Sequence, residues 1–158
     1  MTDVYKAPSS NLEMQASGED LQAFERFSAW GVFFLSIVTL GIYSMYWMFS
    51  RTKVLNRISD QGISSPVIWI TLVAYIIIMV LSYGGAFLLP AEIAVAVQLF
   101  AVVAYFIFML IWIFGFRAAI VSIARSHGQP DFRANGVLTF FFQALYMQYK
   151  INQFIDRK

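Results

Sequence analysis

The charged residues of this chain are sorted along the sequence, and this sorting constrains the fold more than any other feature. From Pro66 to Phe116 the chain carries one charged residue, Glu92, whereas all eleven lysines and arginines lie before or after that stretch. An uncharged run of about 20 residues can cross the hydrocarbon layer of a membrane as a helix. Cations that flank such runs give a membrane protein a defined orientation. The pattern therefore predicts an integral membrane protein.

The composition agrees with this class and argues against several others. Apolar residues make up 59% of the chain, compared with about 45–50% in soluble proteins. The sequence has no cysteine for a thiolate site, and its single histidine, His127, cannot form a multi-histidine metal site alone. It has no Gly-rich phosphate loop and no Gly-x-Ser-x-Gly elbow. We expect no enzyme, no cofactor and, because membrane topology accounts for the basic residues, no nucleic-acid partner.

Two of the uncharged segments are predicted to span the membrane. Ser65 as an N-cap and Pro66 as the first helical residue predict a helix over 66–86. Pro90 followed by Glu92 predicts a second helix, which crosses over 91–116 after a turn at 85–90. Because residues 91–126 contain no proline and one glycine, this second helix is predicted to continue past the bilayer, to the stop signals Gly128 and Pro130.

The outer apolar segments differ in kind from these two. The segment 27–50 is interrupted at Gly41 and then becomes amphipathic, and the segment 134–149 is too short to cross comfortably. The second segment also ends in an amphipathic piece, with Met147, Ile151 and Phe154 on one side and Gln148, Asn152 and Asp156 on another. Residues 1–18 lack apolar periodicity and are predicted to be a disordered polar tail, so that 19–158 forms a single helical membrane domain.

Charge counts favour one topology among three. If all four segments cross, five basic residues lie on one side and six on the other; if only 66–86 and 91–116 cross, the count is eleven against zero. A three-span version, in which 27–50 also crosses, gives nine against two. Since basic residues collect on the cytoplasmic side, we predict a central two-helix transmembrane hairpin flanked by two half-inserted or re-entrant amphipathic segments. A four-span helical bundle and the three-span version are the alternatives.

Two stretches of the chain resemble a known family. The run Leu35–Trp47 with the following Arg51-Thr52-Lys53 resembles the opening of the bacterial membrane family named domain of unknown function 4234, and the stretch 144–153 is similar to its closing motif. The resemblance covers roughly residues 25–155. It implies a location in the bacterial inner, or cytoplasmic, membrane. Together with the charge count, this location predicts a multi-pass protein with most lysines and arginines on the cytoplasmic side. The resemblance implies no activity, substrate or functional residue.

Polar residues inside apolar segments are the candidate functional residues. We predict helix contacts or a transport pathway at Thr39, Gly41, Gln98 and Gln143, because an uncharged polar side chain in a membrane helix usually hydrogen-bonds to a neighbouring helix. The basic cluster Arg51, Lys53 and Arg57 follows a group of aromatic residues and is the candidate contact for lipid headgroups. Glu92 is interpreted as a first-turn carboxylate that favours the helix dipole, and His127 as a solvated helix-end residue.

Two functions remain as hypotheses. The first is a small non-enzymatic membrane protein that acts by association, either as an accessory or scaffold subunit of a larger complex or as a homo-oligomer. Its partners would be the lipid bilayer and other membrane proteins or further copies of the chain. The second is an oligomeric channel or small-solute carrier in which the half-inserted segments line the path. The lack of charged residues deep in either span argues against a proton-coupled transporter.

Overall fold

The computed structural model describes residue 24 and residues 26–59 and 62–156, which form five α-helices and, within this described part, no strand. The helices in chain order are α1 (Ala29–Val38), α2 (Ile42–Ile58), α3 (Ser65–Leu88), α4 (Ala91–Ser126) and α5 (Gly136–Asp156). The all-α prediction is confirmed for these residues. The predicted polar tail at 1–18 lies outside them.

Helix α3 begins one residue earlier than the sequence predicts. Ser64 is the N-cap, with an extended backbone at φ −65° and ψ 140°, and Ser65 is the first helical residue. Pro66 therefore occupies the second helical position. Its missing N–H costs no hydrogen bond there, because the first N–H groups of a helix have no partner within the helix.

The end of α3 also differs from the prediction. The helix runs through Gly84 and Gly85 to Leu88, so the predicted turn at 85–90 shortens to residues 89 and 90. A glycine inside a helix costs only about 1 kcal/mol relative to alanine, so the pair does not have to end it. Gly85 is buried, and a β-carbon placed there would lie 3.8 Å from the β-carbon of Ala94 in α4. The glycine thus lies at the contact between the two antiparallel helices.

Helix α4 is a single helix of 36 residues, as the sequence predicts. At 1.5 Å per residue it is about 54 Å long. It ends where Gly128 adopts φ +80° and the backbone N–H of Gln129 donates to the carbonyl of Ala124 over 3.0 Å. A left-handed glycine is a common helix terminator. His127 is the C-cap of this helix, so its predicted place at the helix end is confirmed.

The packed core lies at one end of the molecule, where the second half of α4 meets α2 and α5. We call this end the head. Fully or nearly fully buried large side chains fill it, namely Trp47, Met48, Leu55, Trp112, Phe116, Ile120, Phe132, Met147, Ile151 and Phe154. The hairpin of α3 and the first part of α4 extends away from the head and exposes apolar side chains. Phe87 and Phe100, for example, are 92% and 77% exposed.

Within the described part of the chain, two helices are long and apolar enough to cross a membrane, and they are α3 and α4. The segment 27–50 divides into α1 and α2, which confirms the predicted interruption at Gly41. From residue 136 onward, the segment 134–149 lies in α5, which is broken at Gln143 by a non-helical backbone. No glycine or proline marks this second break, and the sequence did not predict it. The segment 27–50 therefore forms no continuous helix long enough to cross a bilayer.

Candidate functional site

Helices α1 and α2 fold back on each other. The hydroxyl of Ser44 in α2 donates to the hydroxyl of Ser36 in α1 over 2.7 Å. Residues eight apart in a straight helix are separated by about 12 Å along the axis. The rings of Phe27 and Tyr43, sixteen residues apart, also lie 6.2 Å from each other. The chain therefore reverses direction at residues 39–41, which we call the first fold-back turn.

The polar groups of the first fold-back turn are paired within the chain. The backbone N–H of Gly41 donates to the carbonyl of Ser36 over 2.7 Å, and the Leu40 N–H donates to a carbonyl in the last turn of α1. The Thr39 hydroxyl accepts the backbone N–H of Tyr43 over 2.9 Å. Leu40 and Gly41 both have positive φ, at +53° and +91°. A turn with its own hydrogen bonds is what a backbone break in hydrocarbon requires, because no water is present there to pair the free groups.

Tyr75 of α3 supplies the partner for the exposed carbonyl of this turn. Its hydroxyl donates to the carbonyl oxygen of Leu40 over 2.9 Å. Tyr75 lies ten residues after Ser65, or about 15 Å along α3, and the ten residues of α1 also span about 15 Å. The two lengths agree, so the first fold-back turn lies about 15 Å from the start of α3. This length along α3 equals half of the roughly 30 Å hydrocarbon thickness of a bilayer.

Helix α5 contains the second fold-back turn, at residues 142–144. Gln143 has φ +34° and ψ −114°, which is outside the helical region. The hydroxyl of Thr139 lies 4.0 Å from the sulfur of Met147, eight residues further on. The backbone N–H of Asn135 donates to the hydroxyl of Tyr146 over 2.8 Å. As in the first turn, residues on either side of the break meet, so the chain reverses here as well.

A cavity of about 240 Å³ lies between the two fold-back turns. The hydroxyl-bearing side chains of Ser36 and Ser44 line it from one turn, and Gln143 lines it from the other, with the remaining wall apolar. Of the four predicted helix-contact or pathway residues, Thr39, Gly41 and Gln143 therefore belong to the two turns. Only Gln143 reaches the cavity.

Gln98 lies apart from this group. Its side-chain amide donates to the hydroxyl of Ser82 in α3 over 3.0 Å. The residue therefore joins the two helices of the hairpin near their far end, which is the ordinary role of a lone polar side chain in such a helix. It does not line the cavity between the fold-back turns.

The three basic residues predicted to contact lipid headgroups lie on α2 but have different surroundings. Lys53 is exposed and its ammonium lies 4.4 Å from the centre of the Phe49 ring, a cation–π contact. Arg57 is exposed, whereas Arg51 is half-buried. The Nε of Arg51 is buried and has no hydrogen-bond partner among the described residues. Lys53 and Arg57 are therefore the members of the cluster that are open to a headgroup.

The head contains two buried hydrogen bonds that sequence reasoning missed. The indole N–H of Trp47 donates to the Oε1 of Gln148 over 2.7 Å, and the indole N–H of Trp112 donates to the hydroxyl of Thr52 over 2.8 Å. Helical spacing had placed Gln148 on the polar side of its helix, but the residue is fully buried. The placement was wrong because its partner is 101 residues away in the sequence, which local spacing cannot indicate.

Comparison with known proteins gives one match. A family model matches residues 27–122, a stretch that includes α1, the first fold-back turn, α2, α3 and most of α4. The family-like stretch at 144–153 lies outside the matched range. Neither the curated proteins nor the solved structures contain a match.

Proposed function

Because this chain belongs to the family described as Domain of unknown function (DUF4234), and because that family assigns no activity, we propose a role from the geometry alone. The protein is an integral membrane protein in which α3 and α4 cross the bilayer. The two fold-back turns enter one leaflet halfway and return. The head lies on the cytoplasmic side of a bacterial inner membrane. The association of its helices with another membrane protein, rather than catalysis, is its function.

The charge distribution supports this orientation. Every lysine and arginine is on the head side of the hairpin in this arrangement, which gives eleven basic residues against none. The far end carries only Glu92, in the first turn of α4. Basic residues are retained on the cytoplasmic side during insertion.

The exposed apolar surface supports the half-inserted turns. Val38 beside the first turn is 79% exposed, and Phe141 beside the second is 70% exposed. A monomeric soluble protein rarely exposes large contiguous apolar patches to water. With both turns in one leaflet, lipid tails cover these side chains, and the internal hydrogen bonds of the first turn replace those that water would make.

Cysteine labelling tests the topology on a chain that has no native cysteine. We expect D3C, R57C and D131C to react with a membrane-impermeant maleimide only after the cells are opened, because all three lie on the cytoplasmic side. F87C, beside the far turn, should react in intact cells. Reaction of D3C and R57C from opposite faces would show that the segment 27–50 crosses, and would contradict the two-span arrangement.

Association with a partner is proposed because few residues of the two spans are buried within the chain. In the most apolar 18 residues of α3 and of α4, only 17% and 28% of the residues are buried. A groove between them is lined by nine apolar residues, including Ala74, Ala101 and Ala104. Small side chains let membrane helices approach closely. Since the groove offers no charged group, its occupant is an uncharged transmembrane helix of a partner protein.

The mass of the purified protein in a mild detergent tests association. We expect a complex heavier than one chain of 18.0 kDa, and we expect A104F, which fills the groove, to release the partner. V95F is the matched control, since Val95 is 57% exposed on the same helix and does not line the groove. A partner of a different mass supports an accessory subunit, and a multiple of one chain supports a homo-oligomer. A wild-type protein that is strictly monomeric but still functions in the cell contradicts association.

The cavity between the fold-back turns favours a second candidate, a channel or small-solute carrier formed by several copies. Broken membrane helices that meet at a polar cavity are a recurring feature of transporters. In proteoliposomes we expect Q143L to abolish the flux of a permeant solute, because Gln143 lines the cavity. Q98L should retain it, because Gln98 pairs with Ser82 elsewhere. Wild-type protein without flux of ions or small solutes would remove this candidate.

A further inference from the structure

A basic pocket lies beside the end of α4, on the head side of the second fold-back turn. Its volume is about 530 Å³ and its polar lining consists of Arg117, Arg125, Arg133, Asn135 and Tyr146. Arg117 and Arg125 are two helical turns apart on one face of α4, and Arg133 approaches from the loop before α5. The pocket is separate from the basic cluster on α2.

Among the residues that the structure describes, no carboxylate forms an ion pair with any of these three guanidinium groups. The ion pair found within residues 26–59 and 62–156 joins Arg26 to Asp156 over 3.2 Å and involves none of them. Three like charges around one cavity repel one another, so an anion in the cavity lowers the free energy of the folded protein. The electrostatics of the pocket therefore select a negatively charged ligand.

The hydrogen bonds at the pocket leave several of its donors without a partner among the described residues. The Nε of Arg117 donates to the carbonyl of Ala134 over 2.8 Å, which holds the guanidinium in place and leaves its terminal N–H groups available. The Tyr146 hydroxyl accepts the Asn135 backbone N–H, so its own proton is available to donate. The Asn135 side-chain oxygen accepts the backbone N–H of Val137 over 2.8 Å, which leaves its amide N–H₂ available.

We propose that this pocket binds a phosphate group. Arginine forms paired hydrogen bonds with phosphate oxygens, and hydroxyl and amide donors complete such sites. Arg117 lies 26 residues after Ala91, or about 39 Å along α4, and a bilayer with its headgroups is about 40–45 Å thick. In the proposed membrane orientation the pocket is thus at headgroup level, open to the phosphate of an anionic lipid. A soluble phosphate compound would offer the same chemistry, and that source does not depend on the orientation.

Binding to the full chain in a neutral detergent tests the site. The probes are dihexanoyl phosphatidylglycerol, dihexanoyl phosphatidylcholine, which has the same chains and no net charge, and inorganic phosphate. The test variant is R125Q/R133Q, since both side chains are exposed and make no hydrogen bond in the described structure that would be lost. The matched control is R157Q/K158Q, which removes the same number of positive charges from residues that follow α5 in the sequence. Native mass spectrometry counts bound lipid, calorimetry measures affinity, and thermal melting verifies that both variants fold.

We expect phosphatidylglycerol to bind saturably, to bind R125Q/R133Q at least about tenfold more weakly, and to bind R157Q/K158Q within about twofold of wild type. Inorganic phosphate that binds with the same dependence on the two arginines would also support the site and would identify a soluble source. The proposal is overturned if neither phosphatidylglycerol nor inorganic phosphate binds saturably, or if the two double variants lose affinity equally. It is also overturned if phosphatidylcholine binds as tightly as phosphatidylglycerol. These outcomes are independent of the labelling and mass experiments, so failure here leaves the topology and the association unaffected.

Discussion

Substitution of Gly41 by valine is expected to lower the free energy of unfolding by about 3 kcal/mol. The left-handed backbone conformation destabilises a residue that has a side chain by about 1–2 kcal/mol, and a β-branched residue fits there worst. Gly41 has φ +91°, and a β-carbon placed on it would lie 3.4 Å from the hydroxyl of Tyr75. The further methyl groups of valine would displace that hydroxyl from the Leu40 carbonyl and leave the carbonyl unpaired.

Gly128 provides the matched control for this prediction. It also has positive φ, at +80°, but nothing lies within 4 Å of a β-carbon placed there. G128V therefore introduces the backbone strain without the crowding, and we expect it to lower the free energy of unfolding by about half as much as G41V does. Unfolding in mixed micelles, followed by tryptophan fluorescence, measures both. Equal losses at the two positions would mean that the contact between the first fold-back turn and α3 contributes nothing to stability.

Replacement of Gln148 by leucine is expected to cost about 2 kcal/mol, because the indole N–H of Trp47 would then remain buried without an acceptor. The same change removes the partner of Asn152, whose side-chain oxygen accepts from the Gln148 amide over 2.9 Å. Trp47 lies in α2 and Gln148 lies in α5, so the hydrogen bond between them joins the α1–α2 pair to α5. Its loss should loosen the head as a whole.

A double-mutant cycle isolates the contribution of this bond. W47F alone removes the donor and some packing, and in the W47F/Q148L double variant no indole N–H is left to lack an acceptor. We therefore expect the double variant to be more stable than the sum of the single losses predicts, by about 1–2 kcal/mol. The pair Trp112 and Thr52 offers an independent cycle, W112F with T52V, in the same core. Additive losses in the first cycle would contradict a direct bond between Trp47 and Gln148.

The sequence predicted the elements whose signals are local. Uncharged runs and prolines placed α3 and α4 within a few residues, and the absence of a helix-breaking residue predicted the full length of α4. Gly41 correctly marked a break between two helices. Hydropathy has no direction, however, so the sequence did not establish that the chain reverses at this glycine rather than continuing across.

What the sequence missed depends on contacts between distant residues. Gln143 breaks α5 without a local signal, because the position is held by the packing of the two arms on either side of it. Tyr75 as the partner of Leu40, and Gln148 as the partner of Trp47, required the fold to be known. Arg117 and Arg125 could have been placed on one helical face by their spacing, but the approach of Arg133 from the following loop could not.

The unbroken length of α4 has a mechanical consequence. A helix of 36 residues without a hinge behaves as a stiff rod, so a tilt of one end also displaces the other end. A tilt of about 10° displaces a point about 38 Å along the axis, the distance from Glu92 to Arg117, by roughly 7 Å, which is slightly more than the pitch of one turn. In the proposed membrane orientation, a force on Glu92 at the outer surface would therefore shift Arg117 laterally on the cytoplasmic side, and the head would follow the movement.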